Sequence, residues 1–459
     1  MSTPTTPPPY GLPFWLDIDR PRYGRIEHDI TADVVVVGAG ISGLKLARCL
    51  ARYGADVVVV DAGRVGDGAS GRNQGCITYG EGCYAEYSRV HSREMARQLC
   101  RLGLESHRLI REQIQEFEIE CDYQNNGSFA LVRPDIPGWE EQLESYSNDC
   151  ALLREDGFDV VMVAADEARE RSGSPHPVAA LAKFEAAQFH SGKFVSGLAR
   201  GISQLENVRL FEETRAQRIE FQGNTVQVHT PGGVVTAERA FLATNALVPQ
   251  LVPKLERGLR AERGQVFVTE PLAERPCRGC FGSSLAWWRE VVEGDGRYRL
   301  LFGGGRARDE PDSLFPQFTE SGDPHPHLTS EGFSPSIEHQ QRLDTQFGIL
   351  FPHLAGVRIT HRWGGLQSFT CDSLPMVGEF DPSRRVHGIA GYSGHGNCYA
   401  DVAAEFLAGK AAGVKSDIEL QYGPLMEKLL KPGRDTANWG LWETTHQVGV
   451  ERLGDATDP

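Results

Sequence analysis

Residues 32–82 read ADVVVVGAGISGLKLARCLARYGADVVVVDAGRVGDGASGRNQGCITYGEG. The β-branched run at 34–37 has the composition of a buried parallel strand. It stops at Gly38-Ala39-Gly40-Ile41-Ser42-Gly43, and from Ile41 onward the apolar spacing is helical. A second strand, residues 56–60, delivers Asp61. The three glycines act differently. Gly38 makes the tight turn, Gly40 lets a pyrophosphate approach the backbone, and Gly43 lets helix and strand pack closely. The helix start offers unpaired N–H groups and a positive dipole end to phosphate. Asp61 falls roughly 20 residues past the glycines, where a ribose acceptor belongs. Strand, glycine turn, helix and acid together predict a dinucleotide site.

The chain around this stretch has 459 residues, enough for two or three domains' worth of core. Its net charge is −15, which disfavours nucleic acid as a partner. The proline-rich start, MSTPTTPPPYGLPFWLDIDRP, lacks the basic and apolar regions of a signal peptide, and no 18 apolar residues run together. A cytoplasmic protein without a transmembrane segment is expected, with residues 1–12 disordered. Ten scattered cysteines then read as mostly reduced thiols. Cys277-Arg-Gly-Cys280 is a lone pair without further metal-ligand spacing and reads as a loop, and no metal site is expected.

Downstream, residues 92–117 and 139–156 have helical apolar stripes flanking a strand at 127–132, the first part of an inserted second domain. A helix at 193–205 and strands at 208–211, 226–230 and 234–237 return to the nucleotide unit. Residues 240–246 (AFLATNA) read as a further buried strand whose small-residue end, with Thr244 and Asn245, is expected beside the pyrophosphate, the alternative being a plain strand-to-loop junction. Residues 263–305 are strand-rich. Residues 306–336 form a long irregular connection of the kind that covers sites, before a helix at 337–347. A glycine-dense loop, Gly391-Tyr-Ser-Gly394-His395-Gly396, precedes a closing helix at 400–407.

Four blocks in this order carry a resemblance: GAGISG with Asp61; GASGRN at 68–73; the segment from 213–216 to 242–246; and T-x-D-x-x-P-x-x-G at 370–378 followed by GYSGHG. They span about residues 30–410. The chain resembles the D-amino-acid-oxidase superfamily of FAD-dependent oxidoreductases, nearest the branch of glycine oxidase, monomeric sarcosine oxidase and γ-glutamylputrescine oxidase. The resemblance implies an α/β fold, a Rossmann-like FAD-binding domain interleaved with an α+β substrate domain on a mixed, largely antiparallel sheet. The expected FAD-binding parts are 30–95, 185–250 and 355–412. The substrate-binding parts are 96–184 and 251–354, with extensions at 1–29 and 413–459. The implied reaction is oxidation of a C–N bond of a small amine or amino acid, with hydride passing to the flavin and an imine formed. Dioxygen is the implied acceptor; the alternatives are a quinone or carrier protein, or a flavin-binding subunit without catalysis of its own.

Carried over by position, Gly38, Ala39, Gly40, Ile41, Ser42 and Gly43 surround the pyrophosphate, with Asp61 and Ala62 at the adenosine ribose. Arg64, Ala69, Ser70, Arg72, Asn73, Gln74 and Gly75 run along the diphosphate and flavin. Arg215 and Ala216 meet the adenine, and Gly365, Gly394, His395 and Gly396 the flavin, with Thr244 and Asn245 beside the pyrophosphate. Three departures stand out. Cys76 and Cys398 occupy positions where the sarcosine-oxidase branch has cations on the substrate carboxylate, so the two thiols are expected to converge at the substrate pocket. Gly365 replaces the cysteine that ties flavin covalently there, which implies non-covalent FAD. No lysine lies between Lys254 and Lys410, although that branch uses one toward dioxygen. His395, Cys76, Cys398, Trp288 and Arg306 are the candidate catalytic or pocket residues. For His395 the alternative is a structural loop hydrogen bond. Trp287, Trp288 and Tyr298 offer faces to a cationic amine, and core packing is the commoner use of strand aromatics. Arg289 and Arg306 are candidate carboxylate anchors, with surface ion pairs as the alternative.

Overall fold

The computed structural model describes residues 11–80, 84–284, 286–304 and 334–434. Its organising unit is β1 (Ile30–Val37), helix α1 (Ile41–Arg52) and β2 (Val57–Val60), with the two strands parallel. Their valines alternate between two cores. Val34, Val36, Val57 and Val59 pack on the α1 side, and Val35, Val37, Val58 and Val60 on the other. Both faces are covered, which explains why the strands carry unbroken valine runs rather than alternating polarity. Each such buried side chain contributes about 1.5–3 kcal/mol.

The first sheet runs β17 (Met376–Glu379), β18 (Val386–Ala390), β11 (Gly233–Leu242), β1, β2 and β8 (Val208–Phe211). From β18 to β8 all neighbours are parallel. The hairpin of β9 (Arg218–Gln222) and β10 (Thr225–Thr230) extends off β11. The chain reverses direction across the sheet at β1, so the glycine loop sits at a topological switch point outside the strand ends. Residues 233–242 form one continuous strand, where separate strands at 234–237 and 240–246 are expected from sequence. Polar Glu238 and Arg239 break the apolar run without breaking the ladder.

The second sheet runs β16 (Ile359–Phe369), β12 (Arg260–Thr269), β15 (Tyr298–Gly304), β14 (Ala286–Val292), β13 (Cys280–Gly282), β4 (Ser128–Val132), β6 (Ala179–Lys183) and β5 (Val160–Ala164). All pairs are antiparallel except β13 with β4. One face packs Phe267, Trp288, Leu300 and Phe302 against the helix Ile337–Leu350. The other presents Val266, Val291, Leu301 and Trp363 to Trp15 of the N-terminal segment. A small ribbon of β3 (Cys76–Ile77) and β7 (Ala187–Gln188) lies apart from both sheets.

Strand β16 lies on the FAD-binding side of the boundary expected at 355 and pairs along its length with β12. Three expectations need correction. The helix Arg93–Glu116 packs Leu99, Leu102, Leu109 and Ile110 into the nucleotide-side core, although the sequence pattern assigns it to the second domain. Cys280 opens β13 rather than lying in a loop, because its neighbours Phe281 and Gly282 complete the ladder to β4. The closing helix, Gly396–Ala412, is a turn longer at each end than expected. Beyond it, Arg434 donates from Nε and Nη2 to both oxygens of Asp372, at 2.6 and 2.5 Å, pinning the C-terminal segment to the 370–375 loop.

Candidate functional site

At the end of β1 the backbone turns at Gly38 with φ +109°. A Cβ there would stand 2.7 Å from the Ala243 carbonyl, and one on Gly43 would stand 1.7 Å from the Gly38 carbonyl. Both positions therefore require glycine. The N–H of Ala39 donates to Asp61 Oδ2 at 2.7 Å, and the N–H of Ile41 to Ser70 Oγ at 2.9 Å. Asp61 also accepts from the Gly63 N–H at 2.9 Å, so the acid braces the glycine loop itself. Burial pushes its carboxyl up to about 6, against the pull of those two N–H groups. Ala62 beside it is exposed. Ser42 Oγ pairs with Tyr392 Oη at 2.6 Å, which ties α1 to the Gly391–Gly396 loop.

Across the sheet, Thr244 Oγ1 and Asn245 Oδ1 are buried, and no described residue hydrogen-bonds to either. Asn245 has φ +48°, a conformation asparagine tolerates better than most residues. Orphaned polar atoms at the mouth of a glycine cradle fit a polar ligand whose groups would satisfy them. Arg215 donates to Gln250 at 3.3 Å, and Ala216 packs against the core beyond. Arg64 Nη2 is held by the carbonyls of Arg20 and Pro21 at 3.0 and 3.1 Å.

The 69–75 segment is tied down at nearly every residue. Asn73 Nδ2 donates to the carbonyls of Ala69 and Ser70, and its Oδ1 accepts from the Gly75 N–H and Ser191 Oγ. Arg72 reaches the Gly364 carbonyl at 3.0 Å, and a Cβ on Gly365 would lie 3.3 Å from Arg72 Cβ. Gly75 has φ +72° and no room for a side chain beside the Phe189 carbonyl. Arg289 reaches this segment from β14: Nε donates to the Gln74 carbonyl at 2.6 Å and Nη2 to that of Phe189 at 2.8 Å.

Cys76 follows immediately. Its thiol is in hydrogen-bonding contact with Cys280, which together with burial raises it well above the ordinary thiol range. Cys398 is close enough to act on it electrostatically, and donates to the Thr78 carbonyl at 2.7 Å. Asn397 Nδ2 donates to the Cys76 carbonyl at 3.1 Å. Cys76 and Cys398 thus lie near each other, and Cys280 is a third thiol beside Cys76. His395 is half-buried at the N-cap of the closing helix, beside the exposed Gly394.

Trp288 is not a pocket wall. It is fully buried among Phe281, Phe302 and Phe351, and its Nε1 donates to the Ser172 carbonyl at 3.0 Å, so the core claims it. Arg289 is buried rather than a surface partner. Arg306 and nearly all of the 306–336 connection lie outside the described residues. Sequence reasoning also missed Trp15 and Trp363, whose indole N–H groups donate to the carbonyls of Asn73 and Arg72 at 2.7 and 3.0 Å. The apolar FWL run inside a proline-rich start was the available signal for Trp15.

A parallel sheet with a glycine cradle at its switch point, beside a second, mixed sheet, defines a dinucleotide-binding fold. Residues 33–409 match the family of FAD-dependent oxidoreductases called DAO, and the chain belongs to that family. A probable oxidoreductase OrdL of Rhizobium meliloti is 31% identical over 411 residues, 88% of either chain. A gamma-glutamylputrescine oxidoreductase of Escherichia coli is 29% identical, covering 84% of this chain and 85% of that one. Among solved structures, glycine oxidase from Geobacillus kaustophilus has a TM-score of 0.68 at 19% identity, over 86% of this chain and 98% of its own. L-proline dehydrogenase from P. horikoshii has 0.67 at 18%, over 86% and 97%; at these identities both speak for the fold. No helix among the described residues is long and apolar enough to cross a membrane.

Proposed function

We propose that the protein oxidises the C–N bond of a small amine with FAD held non-covalently, and that its preferred substrates lack a carboxylate on the carbon that is oxidised. FAD, when bound, supplies the two-electron acceptor for hydride from that carbon. The chain's part is to bind, orient and exclude water. The Gly38–Gly43 turn and the α1 start take the pyrophosphate, Asp61 a ribose hydroxyl, and the unsatisfied Thr244 and Asn245 oxygens further polar groups. Gly365 offers no thiol for a covalent tie. The amine oxidoreductase among the relatives supports the substrate class.

The observation that carries the substrate preference is the contact of Cys76 with Cys280, and the nearness of Cys398. Protonated thiols are small and weakly polar, and they give a carboxylate no counter-charge. Arg289, the cation beside Cys76, keeps its charge but is anchored by Nε and Nη2 to the backbone carbonyls of Gln74 and Phe189. Dioxygen is the acceptor we favour. The absence of lysine from 255 to 409 supports a second acceptor class, a quinone or carrier protein.

Steady-state rates with an N-methylalkylamine and with its α-carboxylated analogue test the preference. The amine is expected to have a kcat/KM at least tenfold higher, the value of one lost charge-assisted contact of about 1.4 kcal/mol or more. Equal values, or preference for the amino acid, would contradict it. Running the same turnover in air and with an artificial quinone decides between the acceptors.

A further inference from the structure

The carbonyls of Arg72, Asn73 and Gln74 accept in order from Trp363 Nε1, Trp15 Nε1 and Arg289 Nε, at 3.0, 2.7 and 2.6 Å. The donors come from β16, the N-terminal turn and β14. They share one side: Trp15 and Trp363 belong to one buried cluster, and the Arg289 guanidinium stacks 4.9 Å over the Trp15 ring. Successive carbonyls drawn the same way are not the alternation of a strand.

In a trans peptide the C=O and the following N–H point in opposite directions, and no described peptide is cis. The N–H groups of Asn73 and Gln74 therefore point away from the tryptophan cluster. Neither has a hydrogen-bond partner among the described residues. The next N–H, of Gly75, is already held by Asn73 Oδ1 at 2.6 Å. Two adjacent N–H groups left open in a rigid turn form a concavity for an electron-rich atom. Arg289 adds to its positive potential. It is buried and makes no ion pair with a carboxylate among the described residues; neighbouring Glu290 acts on it electrostatically but is bonded to Arg275 and Asn126. A buried cation in that position is costly unless negative charge arises nearby.

We propose that Trp15, Trp363 and Arg289 are positioning residues that hold the Asn73 and Gln74 N–H groups against the electron-rich edge of the bound flavin. Trp15 thereby makes the N-terminal extension part of the cofactor site. The inference rests on the FAD reading above and deepens it. Bound flavin protects those two amides, and the donors together with the Arg289 charge favour an anion on the flavin.

Hydrogen exchange read by mass spectrometry on peptides spanning 70–78, with and without FAD, gives one test. Sulfite affinity of the FAD-loaded protein, an anionic probe of the oxidised flavin, gives another. Trp15→Phe keeps the ring and removes the donor, Arg289→Met removes the charge, and Val291→Ala trims the same cluster without touching a donor. FAD is expected to slow exchange at 70–78 in the wild type. Sulfite affinity should fall about fivefold in Trp15→Phe, the scale of one net hydrogen bond, and further in Arg289→Met, with partial recovery in Arg289→Lys. Val291→Ala should leave it unchanged. A wild type that binds FAD without slower exchange at 70–78 would overturn the proposal. So would unchanged sulfite affinity in Trp15→Phe and Arg289→Met, or an equal loss in Val291→Ala. A wild type that binds no flavin would instead overturn the reading beneath it.

Discussion

Asp61 shows how much one residue of the cradle has to do. Its two oxygens are engaged by the N–H groups of Ala39 and Gly63, yet burial still outweighs those bonds and lifts the carboxyl to about 6. A carboxyl raised above its unfolded value of about 3.9 favours the protonated form. In the empty protein its contribution to stability is therefore full below about pH 4 and lost as pH rises through about 6. Flavin binding should run the other way, because a ribose hydroxyl donates best to the ionised acid. FAD affinity, followed by quenching of flavin fluorescence between pH 5 and 8, is expected to tighten as pH rises through 6. Asp61→Asn should weaken binding by roughly ten- to a hundredfold at pH 8 and flatten that dependence. The same slope in the variant would show that another group titrates. Residues such as Asp61 were legible in sequence because spacing from the glycines fixes them. The contacts of Trp15 and Arg289 with the 73–74 carbonyls were not, because those partners lie 58 and 215 positions away, on segments with no local signature.

Among the elements, α1 is held to the closing helix by a fully buried ion pair. Lys45 Nζ donates to Asp401, whose other oxygen accepts from Gln113 Nε2 on the Arg93–Glu116 helix. Burial lowers the Lys45 pKa, and Asp401 opposes that shift. Lys45→Met leaves Asp401 buried without its cation and is expected to cost about 3–5 kcal/mol in denaturant unfolding. The double variant Lys45→Met with Asp401→Leu should recover most of that loss. A single variant costing under about 1 kcal/mol would mean that the pair contributes little to joining the helices. The apolar period of α1 was plain in sequence, but its inward lysine was not, since a lone lysine in an amphipathic stripe normally marks the solvent face. Period also failed at β16, where Gly364 and Gly365 dilute the strand signal. Nothing local distinguishes pairing with β12 from membership of the nucleotide sheet.

Over the whole molecule, residues 72–74 are held by side chains of the second sheet and of the N-terminal segment, and Arg434 separately braces the 370–375 loop. Fold class and cofactor cradle were legible because glycine turns and buried valine strands are local patterns. The third thiol of the cluster was not, because Cys280 on β13 lies far in sequence from both Cys76 and Cys398. The most direct test of the account is an absorbance spectrum of the purified protein, then anaerobic addition of a small N-methylalkylamine, then acid precipitation. One flavin per chain, bleached by the amine and released into the acid supernatant as FAD, is the predicted result. A protein that binds no flavin when supplied with FAD, or bound flavin that no amine reduces, would contradict it.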